Sequence, residues 1–291
     1  MTRGSRPLRI GVALGGGSAR GYAHIGALKS LERHGLAPQV IAGTSFGAVI
    51  GALYAAGRSP DALADLANGV RRRELLSAVW DAGFRQAALL KGDRLEVYFD
   101  ALLDGRTFAD LRCELVVVTT DAASGERVLL RSGSVARALR ATVALPGLLS
   151  PVQVDGRRLM DGGLGSPVPL ETLGGEGVDL AIGIGTGLEG DHSAPIRLTR
   201  RVLATPWGRS LRRHLCAQAG EHPVRVLGRS LGYVVASWEP QGRAEDALHV
   251  QVTPSIGWLT FHRAEAAIAA GEAAVEAFLP RLLEASRRCR P

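Results

Sequence analysis

Apolar residues along the first half of the chain follow two rhythms. Short β-branched runs alternate with stretches whose apolar positions recur every three or four residues, a pattern that predicts a parallel or mostly parallel sheet covered by helices. Leu8–Leu14 and Gln39–Ala42 read as the first two strands, and Tyr22–His34 between them sets Ile25, Leu28 and Leu31 on one helix face. Ala48–Ala56 is apolar throughout and rich in helix formers, so it reads as a buried helix that ends at Gly57. Helices are predicted over much of Asp61–Leu103. Cys113–Thr120 is continuous enough for a central strand buried on both faces, and Asp179–Ile184 supplies another apolar strand.

In Pro151–Asp161, Asp155-Gly156 separates two short runs and marks a tight hairpin, with Asp161 just past the second arm. From Gly187 to about Gly220 the residues turn to Gly, Pro, His and Arg, which predicts an irregular excursion. His249–Thr253 then reads as a last strand and Phe261–Arg288 as a closing helix. The pattern predicts one α/β domain over residues 1–291. Its core covers about 8–186, a basic insertion about 187–220, and a C-terminal strand and helix about 248–289.

Composition narrows the class. With 46% apolar and 22% charged residues, the chain is neither disordered nor collagen-like nor a coiled coil. The longest near-apolar run, Phe46–Ala56, falls short of the roughly 18 to 20 residues that span a bilayer, so no membrane helix is expected. Arg3, Arg6 and Arg9 precede an apolar stretch too short for a signal-peptide core, which predicts a cytoplasmic protein. Three scattered cysteines and the lack of HExxH spacing argue against a zinc site or a disulfide scaffold. The net charge, 35 − 28 = +7, is carried almost wholly by arginine. Arg71–Arg73 form one cluster; Arg197, Arg200, Arg201, Arg209, Arg212 and Arg213 form another among Leu203, Trp207, Leu211 and Leu215. Such a stretch suits an anionic membrane surface, nucleic acid or a solvated insertion.

Three glycine clusters stand where open α/β sheets place their sites, at the C-terminal ends of strands. Gly15-Gly16-Gly17-Ser18-Ala19-Arg20-Gly21 lies between the first strand and a helix, where converging backbone N–H groups hold an anion. As a dinucleotide fingerprint it is imperfect: no acid ends the second strand, and no GK[ST] follows. Gly43-Thr44-Ser45-Phe46-Gly47 is a GxSxG between a strand and a helix, a turn that lifts a serine hydroxyl above the sheet. A second match, Gly228–Gly232, sits among apolar residues at helical spacing, which marks Ser230 as a decoy. A nucleophilic serine needs a base. His249 and His262 come late enough in the chain, but neither occupies a loop after a strand. The third cluster, Asp161-Gly162-Gly163, offers a carboxylate that can take the serine proton directly.

GGGSARGYAHIG (15–26), AGTSFGAVIGALYAAG (42–57), ATVALPGLLSPV (141–152) and MDGGLGSPVPL (160–170), in this order, resemble the patatin-like phospholipases. The resemblance is nearer still to the short bacterial members related to the catalytic domain of neuropathy target esterase. TTDAASGERVLL (119–130) and AEAAIAAGEAAVEAFLP (264–280) fit as well, so the likeness spans most of the chain apart from roughly 187–240. Ser18 and Ser166 depart from it, standing where the family pattern has glycine and asparagine.

The resemblance implies a three-layer αβα patatin-like fold with a mostly parallel central sheet. It implies a serine lipid acyl hydrolase of the phospholipase A, lysophospholipase or carboxylesterase type. In that reading Ser45 is the nucleophile, Asp161 the base, and Gly16, Gly17 and Ser18 the oxyanion donors. Gly15, Arg20, Gly21, Gly43, Gly47, Gly162 and Gly163 shape the loops, and neither metal nor cofactor takes part. The expected partner is an acyl-ester lipid rather than nucleic acid, with peripheral contact at an anionic inner membrane surface through Arg209, Arg212 and Arg213. A catalytically idle lipid-binding or regulatory module on the same fold is the alternative.

Overall fold

The computed structural model describes residues 6–69, 82–85, 88–186, 248–257 and 260–289. Its strands are β1 (Ile10–Leu14), β2 (Val40–Thr44), β3 (Ala82–Arg85), β4 (Ala88–Leu90), β5 (Glu114–Asp121), β6 (Arg127–Leu130), β7 (Val152–Val154), β8 (Arg157–Asp161), β9 (Leu180–Gly185) and β10 (Leu248–Gln251). The α-helices are α1 (Ala23–Arg33), α2 (Phe46–Ala55), α3 (Pro60–Gly69), α4 (Asp93–Leu102), α5 (Val135–Thr142) and α6 (Ala264–Arg288). The predicted basic insertion, with Arg209, Arg212 and Arg213, and the decoy Ser230 lie outside the described residues.

The main sheet runs β10-β9-β1-β2-β5-β8-β7, with β6 also paired to β5. Strands β10, β9, β1, β2 and β5 are mutually parallel, whereas β6 and β8 run antiparallel to β5, and β7 antiparallel to β8. Alternation along β1 splits the core. Ile10, Val12 and Leu14 join the large cluster with α1, α2, α5 and α6, while Ala13 joins Val40, Ala42, Val116 and Leu173 on the other face. That second face is covered by the segment around the 3-10 helix Leu170–Gly175, so the expected three layers are present with one of them thin. Among the described residues no helix is long and apolar enough to cross a membrane.

Register on β5 places the site. β2 pairs with β5 from Val40↔Glu114 to Thr44↔Val118, and β8 takes over at Thr119↔Asp161. Because β6 pairs with Val117–Thr120, overlapping both, it must occupy the opposite edge. β2 and β8 therefore share one edge of β5 and meet end to end. This brings Ser45, the residue after β2, against Asp161, the last residue of β8. The Asp155-Gly156 turn that returns β8 has φ values of 47° and 77°, the double left-handed geometry of a type I′ hairpin.

One stretch departs from the helical expectation for Asp61–Leu103. α3 and α4 bracket it, but β3 and β4 form an antiparallel ribbon between them. Main-chain bonds fix that ribbon from outside: Leu90 N–H donates to the Leu148 carbonyl, and Ser150 N–H to the Leu90 carbonyl. Local periodicity carries no trace of such a partner.

Candidate active site

Ser45 caps α2 with φ 53° and ψ −127°, a conformation rare for any residue with a side chain and characteristic of a sharp strand-to-helix turn. The two flanking glycines are needed for contact. A Cβ on Gly43 would lie 2.4 Å from Ala48 Cα, and one on Gly47 would lie 2.4 Å from the carbonyl oxygens of both Leu14 and Gly15. The helix packs directly on the strand ends, and Ser45 projects above them.

Ser45 Oγ donates to Asp161 Oδ2 at 2.8 Å. The other carboxylate oxygen, Oδ1, accepts the Gly163 N–H at 2.8 Å. Asp161 is buried, and desolvation pushes its carboxyl up to about 6, while the Gly163 N–H and the Ser45 hydroxyl pull the other way. Gly162 has to be glycine because a Cβ there would fall 2.2 Å from the Val118 carbonyl oxygen. Ser166 serves through its backbone as well as its hydroxyl. Its N–H donates to the Gly162 carbonyl, its carbonyl accepts from Thr44 Oγ1, and its Oγ donates to Glu171. The bonds made by Ser45 and Asp161 include no histidine. His249 lies in β10, and His262 in the short turn before α6.

The first glycine loop lies over Ser45, with the hypothetical Cβ of Gly16 at 3.4 Å from Ser45 Cβ. Its N–H groups are not equivalent. Gly15 donates to the Ile184 carbonyl and Gly16 to the Pro167 carbonyl, so the Gly16 N–H, expected to serve an oxyanion, is committed to the fold. Among the described residues no acceptor takes the N–H of Gly17 or Ser18. Arg20 Nε donates to the Ile256 carbonyl, which ties the loop to the segment after β10. Gly21 leaves room for Phe46, whose ring meets Tyr22 and Phe261 edge-on.

Several supporting residues carry no signal of their own in the sequence. His24 is fully buried beneath the loop, and its Nε2 lies 2.7 Å from the Gly15 carbonyl, so that nitrogen bears the proton. Burial pulls its pKa down to about 4. Thr186 Oγ1 donates to the Gly16 carbonyl. Thr142 accepts the Ser45 N–H and donates to the Val118 carbonyl, and the Ala144 carbonyl accepts the Asp161 N–H. The 141–152 block was the available pointer to these last two. Among the described residues no group of His, Cys, Asp and Glu is arranged to hold a metal ion.

Residues 12–173, which include all three glycine clusters, match a family model described as patatin-like phospholipase. The chain belongs to this family. An uncharacterized NTE family protein of Mycobacterium bovis is 35% identical over 205 residues, which is 70% of this chain and 56% of that protein. Human patatin-like phospholipase domain-containing protein 6 is 33% identical over 182 residues, 61% of this chain and 13% of that much longer protein. The chain thus spans a little over half of the mycobacterial relative's length. VipD from Legionella pneumophila superimposes with a TM-score of 0.51 over 95% of this chain and 68% of its own, at 15% identity, a likeness of fold. The patatin-like architecture expected from the sequence is the one observed.

Proposed function

We propose that the chain is a serine hydrolase of lipid acyl esters, working through a Ser45–Asp161 dyad. The observation that carries this reading is the 2.8 Å hydrogen bond from a hydroxyl in a strained turn to a buried carboxylate. Ser45 Oγ attacks the ester carbonyl carbon while its proton passes to Asp161. The tetrahedral oxyanion is taken by the N–H groups of Gly17 and Ser18, each worth about 3 to 4 kcal/mol by serine hydrolase precedent. Gly16 contributes by shaping the loop. The positive end of the α2 dipole, at Ser45, favours the same charge. On collapse the leaving alcohol takes the proton from Asp161. Water then attacks the acyl-enzyme, gives a proton to Asp161, and Ser45 recovers it as the acid departs.

A raised carboxyl pKa suits the task. Asp161 is ionised at neutral pH yet basic enough to accept a proton, and activity falls as the pH drops below about 6. Membership of a phospholipase family supports a lipid ester as substrate. A cytoplasmic site of action and docking on anionic membrane through Arg209, Arg212 and Arg213 belong to this proposal too, although those arginines lie outside the described residues. The test is labelling by a fluorophosphonate probe. Wild type and Ser230→Ala should label and Ser45→Ala should not. A wild type that stays unlabelled, with no hydrolysis across a panel of acyl esters, would leave the idle lipid-binding module as the better account.

A further inference from the structure

We infer that Thr142 is a positioning residue for the dyad: its hydroxyl replaces one rung of the sheet and thereby fixes where the nucleophile sits relative to its base. This rests on the reading proposed above and deepens it. The ladder between β2 and β5 runs in register to Thr44↔Val118. In a parallel ladder the next rung would join the N–H after Thr44, that of Ser45, to the carbonyl of Val118. Instead, Thr142 Oγ1 stands between them, accepting from Ser45 N at 2.9 Å and donating to Val118 O at 2.5 Å. A hydroxyl has one proton, so with Val118 taking it the bond from Ser45 must be accepted, and neither direction can invert.

The hydroxyl thereby links the Ser45 backbone to β5 through two bonds. β2 ends at Thr44, where Ser45 enters its turn at φ 53°, and the same edge of β5 is occupied by β8 from Thr119 onward. The same short segment holds the second partner: two residues after Thr142, the Ala144 carbonyl accepts the Asp161 N–H at 3.1 Å. The segment is itself fixed by Ala144 N–H to the Ala141 carbonyl and Leu145 N–H to the Val143 carbonyl. Ser45 and Asp161 therefore hang from one piece of chain, Asp161 by a backbone atom that no substitution removes, Ser45 by a single hydroxyl. Thr142 is fully buried, so its hydroxyl acts through the Ser45 backbone and not on a bound ester.

The experiment is hydrolysis of 4-nitrophenyl butyrate by the full chain as wild type, Thr142→Ser, Thr142→Val and Ser45→Ala. Thr142→Val keeps the shape and removes both bonds, and kcat should fall about 100-fold, the scale of an ångström's misplacement. KM should change by less than about threefold, and Thr142→Ser should keep kcat within about threefold of wild type. The acid limb of the pH–rate profile should move to higher pH in Thr142→Val, because a displaced Ser45 no longer steadies the Asp161 carboxylate. Should Thr142→Val fail to fold, Thr142→Ala replaces it; its vacated space admits a bridging water, and a loss of at least about tenfold is still expected. Unchanged kcat in the folded variant, or equal losses with serine and valine, overturns the inference. Hydrolysis that survives in Ser45→Ala overturns the dyad itself. An inactive Ser45→Ala beside a fully active Thr142→Val removes only the role of Thr142.

Discussion

The glycine loop and the dyad face each other across Ser45, yet they are secured in opposite ways. Gly15–Ser18 is tied at many points: to Ile184, to Pro167, to Thr186, to His24 below, and through Arg20 to Ile256. The dyad hangs on single bonds, one for each polar atom that matters. A loop that has to present fixed N–H groups gains from redundancy, because no single loss reorients it. The dyad has no such reserve, so single substitutions there should be felt in full.

The largest effect should come at the dyad. Asp161→Asn should cut kcat by about 10⁴-fold, the scale seen when a serine hydrolase loses the partner of its relay, as measured by ester hydrolysis above pH 7. Residual activity within about tenfold of wild type would point to another base. Next comes Gly47→Ala, where the elbow helix packs against the backbone of Leu14 and Gly15. Its methyl group meets two carbonyl oxygens that cannot move aside, and a loss of about 3 kcal/mol or more is expected in urea unfolding.

Two of the buried ionisable groups, Asp161 and His24, give the third test, of opposite sign on the two sides. Asp161 has a folded pKa raised to about 6, so stability falls as the pH rises from about 3.8 to about 6 and stays lowered above that, by about 3 kcal/mol. His24 has a folded pKa lowered to about 4, so its contribution is complete above about 6.5 and is lost as the pH falls to about 4, again about 3 kcal/mol. Between pH 4 and 6 the slopes oppose and largely cancel in the wild type. Asp161→Asn should be more stable than wild type at pH 7.5 and should lose stability more steeply on acidification. His24→Gln should do the reverse and weaken with rising pH. Parallel profiles for the three proteins would remove this contrast. The smallest effect belongs to Ser18, at φ 52°: Ser18→Gly relieves a left-handed residue and should add about 1 kcal/mol while leaving hydrolysis intact.

Much of this was written in local sequence. The Asp155-Gly156 turn, the elbow glycines and the strand–loop–helix order around Gly15–Gly21 each follow from what one or two residues can do by themselves, and each lies where the pattern put it. Residues whose role depends on a distant register were not legible. Nothing near Thr142 announces that it completes a rung between Ser45 and Val118, and Ala144 acts through a carbonyl that any residue would supply. Gly16 belongs to the same class: a glycine-rich loop shows that N–H groups converge, but which of them the fold consumes depends on Pro167, far along the chain. For the ribbon at 82–90, an outside partner overrode helical spacing.

The arm from Arg157 to Asp161 acts as a gauge of fixed length. Adding or deleting one residue within it would shift its end by about 3.4 Å and turn the terminal side chain to the opposite face of the sheet. The neighbouring turn can grow freely, since it points away from the seam. An insertion at the hairpin tip should therefore leave the carboxylate where it is, whereas one between tip and carboxylate should carry it away from Ser45.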